Sequence, residues 1–332
     1  MSIDDIRSLR FIAGITSGFM LAQLVNWPLA YIMPMLLAML LSGPTVDLKT
    51  GGLFLAVIFG SCAFGLLLSM SVINLPIVCI ALFGLLLLHI YRAGNLGLPP
   101  FAVTLLILGV VVIPLPGLPS VHLSLMLAEG LWLSSLIAVS LAVLFFSIFP
   151  HTPEPEAKSS PSSPLPADIA ALISTLIVLP LVTVFYTLFW VDMIVLLIVS
   201  TNLAQNVDLA ASAKGGTALL AANLLGGLFA IGTYHLLVMA PNPFFMLALV
   251  ALIATVFARK ILSDDPMAPI YGTAFSTVLL LLGSAISNDF KDATEAFLTR
   301  IFLLSLAIAY VVGSFALLKR AADRWHYPRP AG

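Results

Sequence analysis

Read for its apolar and polar positions, the chain is a succession of apolar runs of 14 to 26 residues separated by short polar joints. About 20 apolar residues span a bilayer core, and in lipid a run this long satisfies its backbone hydrogen bonds as helix. The pattern predicts twelve spans. The first half carries them at roughly 9–27, 28–42, 52–72, 75–92, 99–115 and 124–149. The second carries them at roughly 168–188, 190–204, 215–238, 243–261, 267–286 and 293–318. The second and eighth are short. A single kinked helix across Trp27-Pro28 would lower the count by one.

The two halves follow one plan. Each opens with a tryptophan (Trp27, Trp190), a short apolar run and a polar stretch. A lysine and a Gly-Gly step follow, Lys49-Thr50-Gly51-Gly52 and Lys214-Gly215-Gly216-Thr217, and then a long apolar segment. Beyond that, a shift of 167 positions places Gly65 on Gly232, Pro76 on Pro243, Arg92 on Arg259 and Pro99 on Pro266. Several coincidences in one order suggest duplication, and tandem repeats in a membrane chain point to transport.

Charge orients the spans. With the N-terminus inside, the cytoplasmic joints collect 12 of the 14 basic residues, and only Lys291 and Arg300 fall at or beyond the outer side. Cytoplasmic loops are expected to hold this excess. Six spans per half is an even number, so the halves share one orientation as parallel repeats, and both termini face the cytoplasm. The expected fold class is therefore all-α: a polytopic membrane protein in two parallel six-helix repeats, 1–149 and 168–332, the second ending in a short basic tail.

Composition narrows the function classes. The chain has 332 residues, 61% of them hydrophobic and 9% charged, too few charges to clothe a soluble bundle. Net charge is −1 and the basic residues track topology, which excludes nucleic-acid binding. Residues 150–167, PHTPEPEAKSSPSSPLPA, read as an extended cytoplasmic linker. The start, MSIDDIRSLR, has no small-residue cleavage site and reads as an uncleaved signal anchor. Cys62 and Cys79 lie in apolar spans and read as small core residues, forming neither a disulfide framework nor a metal pair.

An ionisable group within a span costs about 2.5–3.5 kcal/mol on insertion scales, so it tends to face a cavity or a partner. Glu129 and Glu295 occupy matching places in the last span of each half, and Asp192 follows Trp190 by two residues. These three carboxylates are either outer-surface helix caps or proton carriers. Arg300 stands between an ion pair with Glu295 and a substrate-facing cation. His89 and His235 read as interfacial or packed. Short spans at matching places in two repeats point to a transport site. Here they end in Ser42 and Thr45, and in Asn202, Gln205 and Asn206, each followed by a lysine and a Gly-Gly expected to open the next helix. Free N–H groups there, with Lys49 and Lys214, would suit an anion, and Trp27 and Trp190 would offer flat faces to an aromatic ring. The plainer account makes the tryptophans interfacial, the glycines packing residues and the lysines topology signals.

At these residues the chain resembles the fusaric acid resistance family, which includes the aromatic acid exporters. Phe189-Trp190 with Lys214-Gly215-Gly216-Thr217 and Gly226 beyond, and more loosely Asn26-Trp27 with Lys49-Thr50-Gly51-Gly52 and Gly60 beyond, follow that family's pattern. That pattern is an aromatic-Trp step, a basic residue, Gly-Thr and a further Gly. The resemblance covers both repeats and fits a compact branch without a large cytoplasmic domain. Lysine stands in both repeats where the family has arginine. It implies an inner-membrane exporter of aromatic or other organic acids in a Gram-negative bacterium, driven by protons and needing no cofactor. It also implies a periplasmic adaptor of the membrane-fusion type, with an outer-membrane channel as a further candidate partner. Homo-oligomerisation stays open.

The leading expectation is secondary efflux of a small organic anion, with no catalytic and no metal site. No Gly-rich ATP-binding loop occurs. One alternative is a non-transporting membrane subunit of an efflux assembly. Another is a membrane-embedded enzyme on lipid-linked substrates, against which the scattered histidines and the lack of an HExxH motif count.

Overall fold

The computed structural model describes residues 3–25, 27–71, 75–150, 165–205, 209–263, 265–287 and 293–326. Among them are twelve α-helices and no strand. In order they are α1 (Ile3–Val25), α2 (Met33–Ser42), α3 (Leu48–Ser71), α4 (Pro76–Asn95), α5 (Pro100–Ile107) and α6 (Val121–Ile148), then α7 (Ala167–Leu188), α8 (Ile194–Leu203), α9 (Leu209–Met239), α10 (Pro243–Ile261), α11 (Ala268–Ser287) and α12 (Ala293–His326). Among the described residues nine helices are long and apolar enough to cross a membrane, and three shorter apolar segments cover α2, most of α5 and α8. The chain is a polytopic helical membrane protein.

The helices gather into two compact units, and each takes helices from both halves of the chain. One comprises Met1–Cys62, Leu125–Lys158 and Ala218–Ile301; the other comprises Ala63–Ser124, Ser159–Thr217 and Phe302–Gly332. In the first, α1 packs on α2 and α10, and α11 packs on α2 and α10. Its core holds Phe11, Phe257 and Phe275, with neighbouring ring centroids 5.4–5.5 Å apart. In the second, α4 packs on α5 and α7, and α8 packs on α5 and α7. Phe83 against Tyr186, 4.7 Å between centroids, lies in that core. The linker expected at 150–167 falls largely outside the described residues, which resume at Leu165.

Contacts inside each unit fix the direction of the short helices. Phe11 near the start of α1 and Ser42 at the end of α2 line one cavity, so α2 carries the chain back to the end where α1 began. Arg92 in the last turn of α4 pairs with Asp168 in the first turn of α7, so α5 and α6 together make a round trip. The Ser174 hydroxyl in α7 donates to Ala204 O just past α8, so α8 returns the chain toward the start of α7. Each of α2 and α8, ten residues long, is preceded by a three-residue 3-10 turn. Before these turns stand Leu29 and Phe189, both left-handed with φ near 60° and 56°. β-carbon-bearing residues seldom adopt that conformation, and here it turns the chain sharply out of a long helix.

Three boundaries in particular differ from those expected. The helices expected to open at the Gly-Gly steps start earlier, α3 at Leu48 and α9 at Leu209. At α3 the reason is Asp47, whose carboxylate accepts from Thr50 N at 2.7 Å as an N-cap, while Gly51 N already donates to Asp47 O. The fifth span, expected as one helix over 99–115, stops at Ile107 and continues as a π turn (Leu108–Val112) and a 3-10 turn (Leu115–Gly117). Pro114 and Pro116 have no N–H to continue the ladder. The loosened carbonyls are taken up by hydroxyls: Tyr186 donates to Val111 O at 2.7 Å and Ser124 to Ile113 O at 2.6 Å.

Candidate functional site

In the first unit, Arg300 lies on α12, six residues inside the apolar span that begins at Thr294, or about 9 Å at the helical rise. It is partly buried, and its Nε donates to Asn223 Oδ1 on α9 at 2.9 Å. The same oxygen accepts from Thr277 on α11 at 3.0 Å, and Asn223 Nδ2 donates to Leu219 O at 2.8 Å. Gly226 makes this junction possible, because a β-carbon there would collide with Ala274 O. Glu295 is exposed, and five residues of helix set it about 140° around α12 from Arg300. Among the described residues no ion pair joins them, so the cation is held by a neutral amide.

The second unit carries a polar clasp where α8 ends against α5. Thr104 Oγ1 donates to Asn202 Oδ1 at 2.5 Å, and Gln205 Nε2 donates to both, at 3.2 and 3.0 Å. Around it the last carbonyls of α8 are capped one by one. Tyr91 donates to Thr201 O, Ser212 to Leu203 O and Ser174 to Ala204 O, at 2.7–3.2 Å. A helix that stops within a bundle leaves its final carbonyls without partners, and these hydroxyls supply them. Asn202 and Gln205 therefore spend their hydrogen bonds on α5, on each other and, through Asn202 Nδ2, on Ile198 O of α8 itself. Asn206 lies outside the described residues.

The remaining site residues predicted from sequence are divided between the two units. Trp27 is 8% exposed and donates from Nε1 to Ser134 Oγ at 2.9 Å, a packed role. Trp190 is 38% exposed and sits edge-on to Phe185, 5.9 Å between centroids. Lys49 is exposed on the first turn of α3 and Lys214 on the second turn of α9. Gly51 packs against Val139 and Gly216 against Ile308, while Gly52 and Gly215 are exposed. The free N–H groups expected at these glycines are absent at Gly51, whose N–H closes a helical bond, and both glycine pairs sit within helices. Glu129 is exposed on α6, and Asp192 belongs to the 3-10 turn before α8.

Sequence reasoning missed Thr104, Asn223, Thr277 and Ser134. Asn223 was detectable as an amide in the middle of the long apolar run of α9. The threonine and serine residues were not, because hydroxyls bonded to their own helix are commonplace in membrane spans. Arg10, counted with the cytoplasmic cations, is 1% exposed instead. It stacks over the Phe146 ring at 4.0 Å and donates to Phe149 O at 3.2 Å, tying α1 to the end of α6. Among the described residues no cluster of His, Cys, Asp and Glu could hold a metal, and both cysteines are buried and free.

Each unit also has a cavity at the end where its helix termini meet. That of the first, about 500 Å³, lies among α1, α2, α10 and α11. That of the second, about 300 Å³, is lined by His89 and the Arg92–Asp168 pair, whose Nε–Oδ1 distance is 2.6 Å. The pair is well exposed and contributes little to stability.

No family model, curated protein or solved structure matches the chain.

Proposed function

We propose that this chain is a bacterial inner-membrane secondary transporter that exports small organic acids, aromatic acids foremost, using the proton gradient. The reading has two parallel six-helix repeats with both termini cytoplasmic. It is supported by the recurrence of a left-handed residue, a 3-10 turn and a ten-residue helix at Leu29–Ser42 and Phe189–Leu203. The unit contents support it too: each pairs the first two helices of one half with the fourth and fifth of the other. The observation that carries the function is Arg300. An arginine within a membrane span costs several kcal/mol unless something compensates its charge, and its fixed partner here is a neutral amide. Four N–H donors remain beyond the Nε bond, and a carboxylate matches that fork in shape and charge.

Glu129, Glu295 and Asp192 are the proton-carrying candidates, and the resemblance noted above adds a periplasmic membrane-fusion adaptor as partner. In this topology the first unit's cavity opens toward the cytoplasm, and Arg300 lies toward the other face of that unit. Expressed in a bacterial host stripped of its own acid exporters, the chain should raise tolerance to a panel of aromatic acids. Arg300→Gln should remove the protection, and Arg300→Lys should restore only part of it, because an ammonium cannot both hold Asn223 and fork onto a carboxylate. Equal protection by wild type and Arg300→Gln would contradict the assignment.

A further inference from the structure

The 500 Å³ cavity of the first unit has a lining that is unusual in its hydrogen-bond polarity. Its walls include Phe11, Phe275, Met35 and Met39, rings and thioethers suited to a flat apolar body. The volume is that of a small-molecule site. Among the described residues no charged side chain lines it; its polar side chains are the hydroxyls of Ser42, Thr273 and Ser276. Each of these already donates its one hydrogen to its own helix. Ser42 donates to Met39 O at 3.1 Å, Thr273 to Pro269 O at 3.0 Å and Ser276 to Gly272 O at 3.0 Å. A hydroxyl whose proton is committed this way presents lone pairs alone. Around an apolar slot, that repels a carboxylate and favours a guest bringing its own O–H or N–H.

We propose that this cavity binds a small, uncharged aromatic molecule bearing a hydrogen-bond donor, such as a phenol or the protonated form of an aromatic acid. The second unit's cavity is different in kind, being lined by His89 and the Arg92–Asp168 ion pair. Binding by an acid thus follows the ligand's own protonation and not that of a side chain in the pocket. The proposal goes beyond the transport reading and does not rest on it.

The test uses the purified full chain in detergent and equilibrium dialysis with 1-naphthol, 1-methoxynaphthalene and 1-naphthoate, each corrected for detergent alone. Saturable 1-naphthol binding is expected, with the methoxy compound and, at pH 7, the anion each weaker by about ten-fold, the value of one hydrogen bond. Gly272 borders the cavity and a β-carbon there would meet open space, so Gly272→Leu should fill the slot without a clash and abolish binding. Ser276→Ala should narrow the gap between 1-naphthol and its methoxy analogue. Equal affinity for those two would make the cavity an acyl-chain slot, tightest binding of 1-naphthoate would make it an anion site, and unchanged binding by Gly272→Leu would place the ligand elsewhere. Any of these results overturns the proposal.

Discussion

Asp47 is a small residue with a large local effect. Its carboxylate accepts from the backbone and side chain of Thr50, and this hydrogen bonding holds it below the usual carboxylate range. A lowered value in the folded state means that the cap is in place above the ordinary carboxylate range and is lost as pH falls through the lowered value. Asp47→Ala should therefore speed amide exchange over Leu48–Gly51 at neutral pH, and wild type should approach the variant in acid. Unchanged exchange would remove Asp47 as the reason α3 starts where it does. Asp47 was readable, an acidic residue just before an apolar run. The competing Gly-Gly signal drew the expected boundary four residues too late.

At the scale of elements, close approach of backbones decides which helices meet. Gly226 on α9 faces Ala274 O on α11, beside Asn223 and Thr277, and that carbonyl cannot move aside as a flexible side chain would. Gly226→Val should destabilise by about 3 kcal/mol and disturb the seat of Arg300. Gly232→Val, on the same helix but facing open space, should be near neutral. Thermal unfolding of the two variants in one detergent is the comparison, and similar midpoints would contradict the packing argument. The apolar pattern foretold the short helices α2 and α8, since their runs are the two shortest of the twelve. The break in α5 was half visible in Pro114 and Pro116. Its rescue by Tyr186 and Ser124 was not, because the sequence does not say which distant hydroxyl reaches a given carbonyl.

For the whole molecule, the sequence pattern named the helices but not their neighbours. In water a polar face tells a helix which side to bury; in lipid the tails are as apolar as leucine, and that signal is lost. The exchange by which α1 and α2 pack with α10 and α11, and α4 and α5 with α7 and α8, was therefore invisible beforehand. The residues of the expected site were assembled by matching positions in the two halves, and they divide between the two units. Arg300 is the strongest candidate because a charge within an apolar span carries its own argument, independent of neighbours. Residue-level burial was also hidden: Arg10 and Arg92 read alike as topology signals, yet one is stacked in the core and the other is well exposed.

The most direct measurement is transport by the purified chain alone in sealed liposomes under an imposed pH gradient. The account predicts gradient-driven accumulation of radiolabelled 4-hydroxybenzoate, collapsed by a protonophore and lowered at least ten-fold in Arg300→Gln, given the strength of charge-assisted bonds. Flux no greater than that of empty liposomes, from protein whose circular dichroism is still fully helical, would contradict it. So would equal flux in the variant.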